Sequence, residues 1–301
     1  MSEPDSTAGP PSAGALARAK QRLRATPAID AWRFATSLVS AVRRRADLRG
    51  VETYCLFIGH GRSGHSIVGS LLDAHPEAVV SDELDAVHFV ELGFHRDQVL
   101  ALTLDKSERL ARGQRRKAGR GGTTYSYLVP GWANGRFERL RVVGDSTAGT
   151  AVHRMRDRPE LLDRIDRRMR GLRVRYVHVS RNPYDNISTM TIRRGRDLDD
   201  AIRAYFADCE TLVDLRRRIG PERLHDLRHE DLIRDPRARI SGLCRFVGLD
   251  APARYLDACA GILFPSPSRS RDSVDWPAEQ VERVRGEIER FDFLSGYSFE
   301  A

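Results

Sequence analysis

Residues 54–83 read YCLFIGHGRSGHSIVGSLLDAHPEAVVSDE, and no other stretch restricts so strongly what the chain can fold into. Residues 54–58 are an apolar run with the length and composition of a buried strand. Gly59, Gly61 and Gly64 follow at once, with Arg62 and Ser63 between them. Ile67, Val68, Leu71 and Leu72 then recur at helical spacing until Pro76 stops the helix. A strand, a glycine-rich turn and a helix in that order aim backbone N–H groups and a helix N-terminus at an anion. The expectation is an α/β fold with a phosphate-like group held at this turn.

The rest of the chain repeats the alternation. Strands are expected at 78–81, 140–143, 174–179 and 224–227, and helices at 159–169, from Pro183 onward, at 198–219 and at 237–248. Strands alternating with helices imply a mostly parallel central sheet flanked by helices. Asn182 is a natural N-cap, with Pro183 at the first helical position. The domain reading is a disordered stretch at 1–15, a basic helical extension at 16–50, and a catalytic domain at 51–295. Residues 93–139 within that domain are read as an irregular insert that covers a second substrate. The extension is read as a helix packed on the outside of the domain or on a second subunit, in preference to an anionic membrane, because Pro27 interrupts a thin apolar face.

Composition narrows the partners. The chain has 301 residues and a net charge of +8, yet its basic residues form no stripe with interleaved aromatics, which argues against nucleic acid. Lys20, Lys106 and Lys117 are the only lysines among 50 basic residues, an arginine habit of GC-rich bacterial genomes. Cys55, Cys209, Cys244 and Cys259 form no C-x-x-C pair, so neither a disulfide framework nor a zinc site is expected. No metal-ligand cluster is visible, and the polar N-terminus and lack of long apolar runs point to the cytoplasm.

The nearest general pattern is the nucleoside-triphosphate loop G-x-x-x-x-G-K-[ST]. Gly59, Gly64 and Ser66 fit it, but His65 stands at the lysine position and the cation has moved to Arg62. Arg62-Ser63-Gly64-His65-Ser66 resembles the 5′-phosphosulfate loop of the sulfotransferases, Lys/Arg-Ser-Gly-Thr-Thr/Ser. RNPYDNIST, at 181–189, is similar to that family's 3′-phosphate signature. The LDAHP…DE stretch, the helix after RHEDLIRDP and the SRSR run before Trp276 resemble further family segments, those of the tyrosylprotein and carbohydrate enzymes in particular. The resemblance spans roughly residues 53–290.

It implies the P-loop-like sulfotransferase fold and 3′-phosphoadenosine 5′-phosphosulfate (PAPS) as donor to a hydroxyl acceptor: a metabolite, sugar, lipid or tyrosyl group. Gly61, Arg62, Ser63, Gly64, His65 and Ser66 would then hold the phosphosulfate, and Arg181, Thr189 and Arg193 the 3′-phosphate. Glu83 would be the base and Arg62 the leaving-group cation, with His65 and His88 as other candidates for the base. Asp185 is expected to pair with Arg181 or Arg193, or to touch the ligand. Where many relatives carry a Lys-x-Pro lysine, this chain has Asp145-Ser146-Thr147-Ala148. Two other readings stay open: a nucleotide kinase with Asp145 on magnesium, and a non-catalytic binder of the nucleotide.

Overall fold

The computed structural model describes residues 27–112 and 127–300. Residues 1–15, the first part of the basic extension, and the 113–126 part of the expected insert, with Lys117 and Tyr125, lie outside the described residues.

Five strands form one sheet in the order β2-β3-β1-β4-β5, every pair parallel. They are β1 (Thr53–Ile58), β2 (Ala78–Ser81), β3 (Val142–Asp145), β4 (Arg173–Ser180) and β5 (Leu224–Arg228). The first three are buried along their whole length. Strands covered on both faces read as continuous apolar runs, which is why they were legible. Alternate residues feed different cores. Tyr54, Leu56 and Ile58 join one cluster, while Cys55 and Phe57 join the other.

On the Cys55 face lie α3 (His65–Asp73), α10 (His229–Arg234), α11 (Pro236–Val247) and α12 (Ala253–Ala260). The Tyr54 face carries α4 (Ala86–Glu91), α5 (Arg96–Arg112), α6 (Gly149–Asp157), α7 (Leu161–Arg168) and part of α9 (Leu198–Ile219). A third cluster packs α8 (Pro183–Arg194) against α9 and α13 (Ala278–Ile288). Outside α5 lies α1 (Pro27–Arg43), followed by the short α2 (Arg45–Leu48). All four cysteines are free and buried. No helix among the described residues is long and apolar enough to cross a membrane.

Two expectations need correction. The stretch read as irregular from Gly93 contains the 17-residue α5. Residues 98–104 of that helix are buried without a break, Gln98 and Thr103 among them, so no polar face gives the pattern a helical period. The third strand starts two residues later than expected and runs into Asp145.

Candidate functional site

All five parallel strands end on one side of the sheet, and their carboxyl ends build the site. From β1 the chain turns through residues 59–64 into α3. Gly64, the residue before α3, has φ 98°. A Cβ there would lie 2.5 Å from Nδ1 of His229, so both backbone and space require glycine. Arg62 holds a left-handed backbone (φ 72°) with its side chain exposed. The Ser63 hydroxyl donates to the His60 carbonyl at 2.9 Å and closes the turn. Ser66 is half-buried on the first turn of α3.

The second end is that of β4. The Asn182 side chain accepts from the Tyr184 N–H, with Pro183 following, as the sequence indicates. Arg181 is buried, and its guanidinium ties three segments together. Nη1 donates to the Arg62 carbonyl at 3.4 Å and to Thr189 Oγ1 at 3.3 Å. Nη2 donates to the Ser268 carbonyl at 2.6 Å and to Ser270 Oγ at 3.1 Å. The two anion motifs, 119 residues apart, therefore touch. Arg193 lies exposed one turn beyond Thr189 on α8.

Asp185 departs from expectation. Its carboxylate pairs with neither Arg181 nor Arg193 but with Arg271, at 2.7 Å and 3.0 Å. Both side chains are almost fully buried. Arg271 also donates to the Ser298 and Phe299 carbonyls, so this pair fixes the 268–273 turn and the C-terminal segment over the start of α8. Trp276 packs against Tyr184 and donates to Ser188 Oγ at 2.9 Å.

The third end belongs to β2 and β3. Glu83 and Asp85 both hold left-handed backbones, at φ 53° and 65°. Asp145 fixes them: its carboxylate accepts from the N–H groups of Leu84 at 2.9 Å and Ala86 at 2.8 Å, and from Ser81 Oγ at 3.1 Å. Thr147 Oγ1 accepts the Asp85 N–H at 2.9 Å. Burial pushes the Asp145 carboxyl above its ordinary value, against these hydrogen bonds and the charge of Lys106. With its oxygens so engaged, Asp145 is a clamp and is not arranged as the magnesium ligand of a kinase. The Glu83 side chain is exposed at the crevice.

His65, buried at the start of α3, donates from Nδ1 to the Ser146 carbonyl at 2.8 Å. Burial lowers its pKa, the Glu83 and Asp82 charges raise it, and Arg62 lowers it again. One imidazole thus senses the loop cation and both strand-end carboxylates. His88 is not part of this group. Its Nε2 faces Asp30 of α1 at 3.2 Å, away from the loop.

Two further residues belong to the site: His229, which the sequence reading takes as structural or surface but able to approach the nucleotide, and Lys106, which it does not place there. His229, at the end of β5, lies against Gly64, and its Nδ1 is buried with no hydrogen-bond partner. Burial and the nearby Arg181 charge lower its pKa to about 4. The signal was its place directly after a strand of a parallel sheet. Lys106, on α5, donates from Nζ to the Glu83 carbonyl, and nothing local in the sequence marks it. Other histidines have structural partners: His153 contacts Asp208, His178 contacts Asp226, and His225 stacks on Phe246.

A family model described as "Sulfotransferase family" matches residues 56–253. No curated protein matches the chain. Among solved structures, the sulfotransferase domain of the Synechococcus PCC 7002 olefin synthase is 21% identical, with 75% of this chain and 81% of that one covered at a TM-score of 0.45. The sulfotransferase domain from the curacin biosynthetic pathway is 16% identical, covering 79% and 98%, at 0.48. Sulfotransferase STF9 from Mycobacterium avium is 14% identical, covering 89% and 86%, at 0.44.

Proposed function

The chain belongs to the sulfotransferase family, and from that membership we propose that it transfers a sulfuryl group from PAPS to a hydroxyl acceptor, with residues 51–295 as the transferase unit. The observation that carries this reading is the hydrogen bond from Arg181 to the Arg62 carbonyl. It supports the reading because it brings the Arg62 turn and the Arg181 segment side by side, within reach of one nucleotide bearing a 5′-phosphosulfate and a 3′-phosphate.

The residues present fit such a donor. Gly64 leaves a cradle that a Cβ would fill, and the unpartnered Nδ1 of His229 lies beside it. Guanidinium groups suit phosphate and sulfate oxygens. The donor would supply the activated sulfuryl group and a bisphosphate leaving group. On the protein, Arg62, Ser66 and the N–H groups of residues 61–66 would hold the phosphosulfate end. Arg181 and Thr189 would bind the 3′-phosphate, with Arg193 one turn further out.

Transfer of this kind is mostly positioning and charge stabilisation. Arg62 would strengthen its hydrogen bond as charge grows on the leaving oxygen. Glu83 would take the proton from the acceptor hydroxyl, held at that strand end by the Asp145 clamp. No lysine stands at Ser146, and Lys106 brings an ammonium to the same strand end from α5.

The test is transfer of labelled sulfate from PAPS to acceptors in cell extract, with the product identified by mass spectrometry. Arg62→Ala is expected to lower turnover by roughly 10²–10³, and Glu83→Gln by roughly 10²–10⁴. Near-wild-type turnover in either variant would remove that residue from the mechanism. Stabilisation by ATP with magnesium, and not by adenosine 3′,5′-bisphosphate, would overturn the donor assignment.

A further inference from the structure

Pro27, read from the sequence as an interruption that disfavours a membrane, is instead the first residue of α1, and the helix is mounted with its polar side inward. Toward α5, Ser40 donates to Asp105 at 2.7 Å, Arg44 donates to Asp105 and Glu108, and Ser37 accepts from Gln98 at 3.0 Å. Toward solvent it carries Trp32 (65% exposed), Leu38 (42%), Val39 (51%) and Val42 (74%). Positions 32, 35, 39 and 42 recur at helical spacing and make one apolar stripe. The other large apolar side chains exposed among the described residues are Phe34, also on this helix, and the scattered Leu92, Ile192 and Val213. A stripe of this kind on the outside of a protein marks an interaction surface.

Charge identifies the occupant. Residues 16–49 hold nine basic and two acidic residues, which is nearly the whole excess of +8. Arg43, Arg45 and Arg49 are exposed where α1 ends and α2 begins. Phe34 of α1 stacks edge-on against Phe94 at 5.0 Å, and the neighbouring Gly93 and His95 belong to a cleft of about 880 Å³ lined also by Arg96, Arg164, Arg167, Arg168 and Arg170, with Asp97 as its one acidic residue. A second copy seated there would bring two such cationic segments together. An anionic bilayer satisfies both features.

We propose that α1 docks the protein on an anionic lipid surface, with Trp32, Val39 and Val42 entering the interface and the flanking arginines meeting the headgroups. This does not depend on the donor assignment. The test is flotation of the full chain with vesicles of phosphatidylcholine alone or mixed equally with phosphatidylglycerol, together with sedimentation equilibrium without lipid.

The full chain is expected to float with the mixed vesicles roughly tenfold or more above phosphatidylcholine alone, and less at high salt. A Trp32→Ser, Val39→Ser, Val42→Ser variant should fall back by a similar factor, as should Arg43→Gln, Arg45→Gln, Arg49→Gln. These side chains are on the surface, so unchanged thermal unfolding of both variants is part of the expected result. Equal flotation of wild type and the serine variant would overturn the proposal. So would a dimer without lipid that the serine variant abolishes.

Discussion

Arg62 occupies a backbone region that costs a non-glycine residue of order 1–3 kcal/mol. A glycine would fit there with less strain, so the conformation is kept for the side chain. Gly64 is the converse case: its φ and the His229 ring leave no room for a Cβ. Gly64→Ala is therefore expected to lower the melting temperature and to abolish the stabilisation given by adenosine 3′,5′-bisphosphate. Adding His229→Ala should recover part of the stability, because it removes the clash while the backbone strain remains. Thermal unfolding with and without the nucleotide, run on the single and double variants, checks both statements. The identity of these loop residues was legible in the sequence because a glycine turn after a buried strand has few physical solutions. For His229 the sequence suggested an approach to the nucleotide but not the contact with Gly64, which joins segments 165 residues apart.

The segment at 82–86 keeps its shape through the element beside it. Asp145 ends β3, and its two oxygens accept the N–H groups that open α4. Asp145→Asn keeps the shape but turns one acceptor into a donor, so a buried N–H loses its partner at a cost of about 1–3 kcal/mol. Urea unfolding should show that loss, and turnover should fall through misplacement of Glu83 while nucleotide affinity is kept. Reading elements from sequence worked where a strand was a continuous apolar run, where a helix kept one polar face, or where an end signal was strong. Asn182-Pro183 capped α8 as expected, and Gly220 and Gly248 follow α9 and α11. It failed for α5, which is buried around its circumference for nearly two turns. Missing that helix also hid Lys106. Asp145 looked like a metal ligand because only the fold shows that its oxygens are spent on neighbouring N–H groups.

At the scale of the whole molecule, buried histidines should make stability fall toward acid. Burial lowers the pKa of His60 and of His229 from 6.5 to about 4. Between those values the unfolded chain binds protons that the native one refuses. Their contribution is therefore complete above pH 6.5 and is lost as the pH falls toward 4, at about 1.4 kcal/mol per pH unit for each histidine. His65, His75, His178 and His225 are shifted in the same direction. Denaturant midpoints measured across this interval should decline toward acid, and a His229→Ala variant should decline less steeply. Constant midpoints would mean that these rings are protonated in the native state. The four cysteines carry a last consequence of the same packing. Cys55, Cys244 and Cys259 have thiol pKa values pushed to about 12, and Cys209 is raised as well. A disulfide reagent should accordingly stay idle while the native state holds, and its colour reaction should then run at the pace at which the molecule opens. The chain carries its own stopwatch for unfolding.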